Sequence, residues 1–536
     1  MLVSFDGLSA NELEQRRDLP AFARLERDGL FVQRVTPVTP SVTSSAHVAI
    51  LTGTTPDVNG IVANRFHVPG TPWTQSADGF DADVDAETLL EAAHRAGKRV
   101  GSIAFPTIDG RNARRTADFG LLYTDPAVPS RMLHLHAADF HVVERPPHHP
   151  SFSPVMRAHI QWAVPNRAHR DVRLFAYDTT DDHVRNYNTF LVESNGGEIV
   201  PDSHGWFAIS SRTPDALYGS WSKLMHTTST LDEVVVYAGE ISRTNGYPDS
   251  FRQLVDTEVG FWPGAPDEHS AQQRLEGGDG VDGETFAEQN ARFSDFFAGA
   301  AAVAIRRMQF DLLLAYNPSV DKAAHQFLIV NASQPHATPE NRAIAQIVRD
   351  RAFASADRAA QMIASALDPA RDSLVVTGDH GLAPIDTELH LKAWLANHGF
   401  AQWVAFATGG NVAHLYRTGA PQPEETSRLI AELKATGLIE RIDEKTPVSH
   451  PNSGDLVLYA YPHAGLRAAN GVDIAPPGSY GQHGGIGSHH EFQTVLIAWG
   501  AGVKPGTISA MRQTQIAAFV SSLLGIDPPT KAERGP

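Results

Sequence analysis

The chain has 536 residues, with 44 basic residues against 61 acidic ones for a formal charge of −17, 25 histidines and no cysteine. That length exceeds one compact core and predicts two domains or one large domain with an insertion, and 42% apolar against 20% charged residues excludes wholesale disorder. Without cysteine there is no disulfide, thiolate zinc site, iron–sulfur cluster or thiol nucleophile, so any metal must be held by imidazole and carboxylate. The acidic balance argues against a duplex nucleic-acid binder. It leaves room for a small phosphorylated substrate, because a bound cation inverts the local field.

In chain order, the apolar run Leu2–Phe5 predicts a strand and Pro20–Asp28 a helix. Residues 44–52 read as a helix that Gly53 ends, 85–96 as a helix and 99–105 as a strand. From about residue 121 to 285 the rhythm turns to Pro-, His- and turn-rich sequence with short β-type runs at 172–177 and 234–237. Glu144-Arg-Pro-Pro-His-His-Pro150 and the Gly/Asp-rich stretch 276–284 bound it, which predicts a β-rich insertion or cap within a core made of 1–120 and 286–536. The core resumes with a helix over 288–308, a strand over 311–316, a helix over 339–367 and the strand Ser373–Thr377. A helix over 423–436, strands over 455–461 and 494–499 and a helix over 514–524 complete it. This alternation predicts an α/β sandwich with a mostly parallel sheet, whose ligands sit beyond the carboxyl ends of the strands. No run of 18 or more apolar residues predicts a transmembrane segment, and no leader peptide is evident.

Four clusters fall at or near strand ends: Asp6-Gly7, Asp321-Lys-Ala-Ala-His325, Gly378-Asp-His-Gly381 with Asp379 and His380, and Gly481-Gln-His-Gly484 with His483. The i,i+4 spacing puts Asp321 and His325 on one helix face, suited to a shared metal. Any one Asp-Gly or His-Gly pair is equally the chemistry of a turn. Four together in an α/β chain favour ligands, enough for two zinc-like ions.

Thr43 stands at the start of the 44–52 helix. Its structural role there is an N-cap. Its chemical role is a nucleophile that an adjacent dication makes available, beside N–H groups that hold phosphate oxygens. On this segment alone the cap is preferred.

The pieces together resemble the type I phosphodiesterase/nucleotide pyrophosphatase branch of the alkaline phosphatase superfamily. The segment from Thr36 through Thr43 to Asn64 looks like that branch's nucleophile segment, and Asp6-Gly7, Asp321…His325, Gly378–Gly381 and the stretch 481–500 match in the family's order. The resemblance implies an alkaline-phosphatase-like sandwich and two Zn2+ ions. One would be held by Asp321, His325 and His483, the other by Asp6, Asp379 and His380 with Thr43 as its labile partner. It implies that Asn64 donates to a non-bridging phosphate oxygen, and that phosphate esters are cleaved through a phospho-threonyl intermediate. It also implies a periplasmic or secreted protein, with the cytoplasm as the alternative. Three departures bear on substrate: Ser44 stands where nucleotide-cleaving members place a stacking aromatic, Asn59 stands where many have histidine, and the inserted segment is larger. Phe66 or Trp73 is a substitute stacking face, although both suit packing. The rival readings are a phosphonoacetate-type hydrolase or phosphomonoesterase on the same site, and a catalytically silent metal-stabilised scaffold whose insertion binds a partner.

Other signals are discounted. Gly278-Asp-Gly-Val-Asp-Gly283 fits GxGxxG, but it follows no strand and its acids would repel a pyrophosphate, so it reads as a flexible linker. The insertion's His134, His136, His141, His148, His149, His159 and His169 read as surface histidines. His47, one turn after Thr43, is a supporting or a packing residue.

Overall fold

Leu2–Phe5 lies inside a sheet, paired in parallel with Leu312–Asn317 on one side and Ser373–Thr377 on the other, in a computed structural model that describes residues 1–108, 112–143, 149–419 and 423–534. All three strands are apolar along almost their whole length rather than alternating, the pattern of strands covered on both faces. Beyond Leu312–Asn317 come Val100–Ile103 and Phe119–Leu122, also parallel. Beyond Ser373–Thr377 comes Thr494–Gly500, antiparallel, followed by Leu30–Thr36 and Gly506–Ile508. The result is a mixed α/β fold with a large, mostly parallel central sheet.

Helices cover both faces. Ile50 and Leu51 of Thr43–Thr52, Leu89 and Leu90 of Leu89–Arg95, and Ile516 and Val520 of Ile516–Leu524 bury against Leu2, Leu312, Leu314 and Leu496. On the opposite face Phe22 of Pro20–Asp28 meets Phe5 edge-on at 5.8 Å, and that helix packs on Pro339–Ala366, which packs on Gly283–Arg307. The helix expected from residue 85 begins at Leu89, because Thr88 and Glu91 form a reciprocal capping box there. The helix expected from 288 starts at Gly283.

The chain divides into two compact units, Met1–Leu122 with Gly283–Pro536, and Tyr123–Asp282. In the first, the strand expected over 455–461 is Leu456–Ala460. It leaves the central sheet for an antiparallel one, in the order Val404–Gly409, Val412–Arg417, Leu456–Ala460, Ile439–Glu444. A buried apolar run specifies a strand without specifying its neighbours.

Among its described residues, the second unit holds two five-stranded antiparallel sheets and short helices. Ile160, Trp162, Val172 and Leu174 of one sheet share a core with Phe207, Ile209, Val234 and Val236 of the other. Trp162 donates its ring N–H to Ser220 Oγ at 2.8 Å inside that core. Within this unit the Gly/Asp-rich stretch is a packed turn rather than a flexible linker: Val281 is buried and its N–H donates to Ser270 Oγ. Among the described residues, no helix is long and apolar enough to cross a membrane.

Candidate active site

The three central strands are parallel and adjacent, so the residues that follow them are delivered to one edge of the sheet. Asp6 follows Leu2–Phe5, Asp321 lies in the first turn of the helix Ser319–Phe327 after Leu312–Asn317, and Asp379 and His380 follow Ser373–Thr377. Asp6 and Asp321 are tied through the backbone, the Asp321 N–H donating to the Asp6 carbonyl at 3.0 Å. Gly7, at φ +71°, permits this approach: a Cβ there would stand 2.8 Å from the Asp321 Cα.

Thr43 is the first residue of its helix, and Val42 occupies the cap position without a side-chain hydrogen bond. The N-cap role is therefore not what Thr43 performs. Its Oγ1 faces His380 Nε2 at 3.2 Å. The same nitrogen stands 3.2 Å from Asp379 Oδ2 and 3.6 Å from Asp6 Oδ1. Thr43, Asp6, Asp379 and His380 thus converge on one buried point. Asp379 Oδ1 accepts the N–H groups of Gly7 and His380, at 3.2 and 2.9 Å, which turns Oδ2 toward that point. Gln513 Nε2 donates to the Asp379 carbonyl at 2.6 Å.

Beside it, His325 Nε2 is 3.4 Å and His483 Nε2 is 3.9 Å from Asp321 Oδ1. His325 Nδ1 donates to the Gly481 carbonyl at 2.8 Å and His483 Nδ1 to the Ser41 carbonyl at 3.3 Å. A carbonyl only accepts, so both rings carry a proton on Nδ1 and turn Nε2 toward Asp321. His380 lies between the two sets. Its ring stacks on His483 with centroids 3.8 Å apart, and ligand atoms of Asp321, His380 and His483 lie within 4.8 Å of one another, as do those of Asp6, Asp379 and His380.

The electrostatics are those of a cation site. Burial, and then the charge of Asp321, pushes the Asp6 carboxyl up to about 7 despite the Tyr316 hydroxyl that donates to it. Burial and then the charges of Asp6 and Asp321 push Asp379 well above the usual carboxylate range. Burial and then neighbouring imidazoles push His380 and His483 well below the ordinary histidine value. Asp6 Oδ1 and Asp379 Oδ2 are buried and accept no hydrogen bond. Three buried carboxylates beside three imidazoles, of which burial holds His380 and His483 neutral, are the oxygen and nitrogen donor set that dications take, so the residues fit divalent ions.

Asn64 is half-buried and its Oδ1 accepts the Ser44 N–H at 2.9 Å, which leaves the Nδ2 amide as its donor beside Thr43. Ser44 is fully buried and donates its hydroxyl to the Ala63 carbonyl at 3.1 Å, with Gly79 packed so closely that a Cβ there would stand 2.5 Å from Ser44 Oγ. Asn59 shapes a turn by bonding Thr54 and Ile61. Phe66 is a core residue among Val48, Ile61 and Val62, and Trp73 stacks on His67 at 4.0 Å. Of the insertion's histidines, His134, His136, His141, His149, His159 and His169 are exposed, and His148 lies outside the described residues. Sequence reasoning missed Tyr316, whose hydroxyl reaches Asp6, because an aromatic in an apolar strand reads as core.

No curated protein sequence matches the chain. The family model of type I phosphodiesterase/nucleotide pyrophosphatase matches residues 1–188 and 220–486. Similar solved structures include murine ectonucleotide pyrophosphatase/phosphodiesterase 5, at 14% identity and a TM-score of 0.54 over 99% of this chain and 96% of that one. The murine protein in an inactive threonine-to-alanine form, in complex with AMP, gives the same values. The human protein gives 14% identity and a TM-score of 0.53 over 100% of this chain and 96% of that one. At that identity the likeness is one of fold.

Proposed function

Because the chain belongs to the type I phosphodiesterase/nucleotide pyrophosphatase family, we propose that it is a two-zinc hydrolase of phosphodiesters that works through a phospho-threonyl intermediate on Thr43. The observation that carries this reading is the position of Thr43 Oγ1, released from capping and facing His380, with Asp6 and Asp379 around the same nitrogen.

Asp321, His325 and His483 would hold one ion, and Asp6, Asp379 and His380 the other, next to Thr43. When bound, the ions supply Lewis acidity that neutralises phosphate oxygens and makes a hydroxyl available at neutral pH. The protein's own groups do the rest. Thr43 Oγ1 loses its proton and attacks phosphorus in line; the Oγ1–P bond forms as the bond to the leaving oxygen breaks, and that oxygen takes up a proton. A water then attacks the same phosphorus from the other side, the Oγ1–P bond breaks, and a proton from the water restores the Thr43 hydroxyl. Asn64 Nδ2 donates to a non-bridging oxygen, and the N-terminal end of the Thr43–Thr52 helix favours the negative phosphoryl group. Ser44, buried under Gly79, offers no stacking face, so the organic part of the substrate is held by other residues than the one after the nucleophile. The nucleotide class comes by family, and a phosphonate or monoester is the competing substrate.

The test is zinc content, together with hydrolysis of bis-p-nitrophenyl phosphate, p-nitrophenyl phosphate and phosphonoacetate by the native protein and Thr43→Ala. We expect two zinc ions, preference for the diester, and a loss of about 10³-fold or more with Thr43→Ala. Full activity of the Thr43 variant would overturn the mechanism. Two bound ions with no hydrolysis of any of the three would favour a silent scaffold.

A further inference from the structure

His47 lies one helical turn after Thr43 and is completely buried. Its Nδ1 lies 2.8 Å from the Thr43 carbonyl and its Nε2 2.9 Å from Ser4 Oγ. The carbonyl can only accept, so Nδ1 carries a proton and donates to it, while Nε2 shares a hydrogen bond with Ser4 Oγ. The ring is fixed in this orientation by Phe105 and Tyr316, each edge-on at 5.1 and 5.7 Å between centroids. The same Nδ1 stands 3.5 Å from Asp379 Oδ2, the oxygen turned toward His380.

A packing histidine would need none of this. One N–H edge faces both the carbonyl of the nucleophile residue and the carboxylate oxygen aimed at the shared point. The other nitrogen is tied to the central strand that delivers Asp6. We propose that His47 is a positioning residue for the ion site formed by Asp6, Asp379 and His380: its Nδ1–H holds the Thr43 carbonyl in the first turn of the helix, its Nε2 is tied to Ser4, two residues before Asp6, and its ring edge backs the Asp379 carboxylate at 3.5 Å. The inference rests on the two-ion reading above and adds a residue which that reading does not use. Removing such a support typically costs about 10–100-fold in metal affinity. It acts on one ion and not on the other, because His325 and His483 take their support from the carbonyls of Gly481 and Ser41.

The chemistry of asparagine and glutamine separates support from packing. In His47→Asn the Nδ2 amide takes the place of Nδ1–H. In His47→Gln the amide reaches instead toward Ser4 and the Nδ1 donor is lost. Zinc is titrated into the chelator-stripped full-length protein against a chromophoric chelator, with the thermal melt of each variant measured alongside. We expect wild type to take up two ions, His47→Gln to bind one of them about 10–100-fold more weakly with the other unchanged, and His47→Asn to keep wild-type affinity for both. If His47→Gln binds both ions like wild type, the proposal is wrong. If both variants lose both ions together, His47 supports the fold as a whole and the proposal is also wrong. Diester hydrolysis is followed in parallel. A wild type with two ions and no hydrolysis removes the proposed activity and leaves the role of His47 to the titration. A wild type that takes up fewer than two ions removes both.

Discussion

The Tyr316 hydroxyl donates to Asp6 Oδ2 at 2.5 Å, and both residues are buried. The hydrogen bond favours the ionised carboxylate, opposing burial and the Asp321 charge, which otherwise drive Asp6 upward. Tyr316→Phe removes that opposition. A hydrogen bond to a charged group contributes about 1.5–3 kcal/mol, so without it the carboxyl should rise further. Zinc then competes with a more tightly held proton. The pH at which half the protein is loaded at fixed zinc should move upward; an unchanged loading curve would show that Tyr316 serves only packing.

Removing the metal should make stability fall on the alkaline side. Asp6 is raised to about 7 from 3.8 in the unfolded chain, and Asp379 is raised too. The folded state therefore binds more protons than the unfolded one, and this contribution is lost as pH rises through 7. His47, His380 and His483 are lowered and act in the opposite sense, gaining stability as pH rises, but only up to their unfolded value of 6.5. Between pH 6.5 and 8 the carboxylates work against the Met1 ammonium, which burial lowers from 8.0 to about 6 and which gains stability over that range with or without zinc. Relative to its value at pH 6.5, the melting temperature at pH 8 should therefore be lower in the apo protein than at saturating zinc. A difference of equal size with and without zinc would place its origin elsewhere.

Asn64→Asp isolates the donor role of that side chain. The carboxylate keeps an acceptor for the Ser44 N–H, so the loop around Thr43 should hold and the melting temperature should change little. The lost N–H and the added negative charge should lower kcat/KM for a diester by about 10²–10³-fold, as loss of an oxyanion donor does. A variant with near-native kcat/KM would exclude Asn64 from contact with the phosphoryl group.

Ser44→Phe places an aromatic after the nucleophile in sequence but not at the substrate in space. Ser44 is buried against the Ala63 carbonyl and Gly79, so a phenyl ring meets packed backbone. The expected outcome is overpacking of about 1–3 kcal/mol, read as a lower melting temperature, with no gain in discrimination for nucleotide over alkyl diesters. Improved KM for nucleotides at unchanged stability would mean that the cleft at residue 44 is open.

Much of this architecture was legible because apolar runs and their punctuation are local. Leu2–Phe5, Pro20–Asp28 and Ser373–Thr377 have the limits their patterns predict, and Asp6, Asp321, Asp379 and His380 sit just past strands where ligand residues of an α/β sheet belong. What escaped was not local. Nothing in the run 455–461 says that it pairs with Val412–Arg417 rather than joining the central sheet. Tyr316 looked like any core aromatic because its partner lies 310 positions away. The cap role of Thr43 was favoured on its own segment, and only His380, 337 positions distant, decides where its hydroxyl points.

The position of Leu2–Phe5 between Leu312–Asn317 and Ser373–Thr377 also bears on biosynthesis. A strand near the start of the chain emerges from the ribosome long before either neighbour exists. Until residue 317 has been made it is an apolar segment with two unpaired edges, and until residue 377 it retains one. Ribosome-bound chains shorter than that should keep this segment sticky and open to holdase chaperones. The strand that delivers Asp6 must wait for a partner made more than 300 residues later.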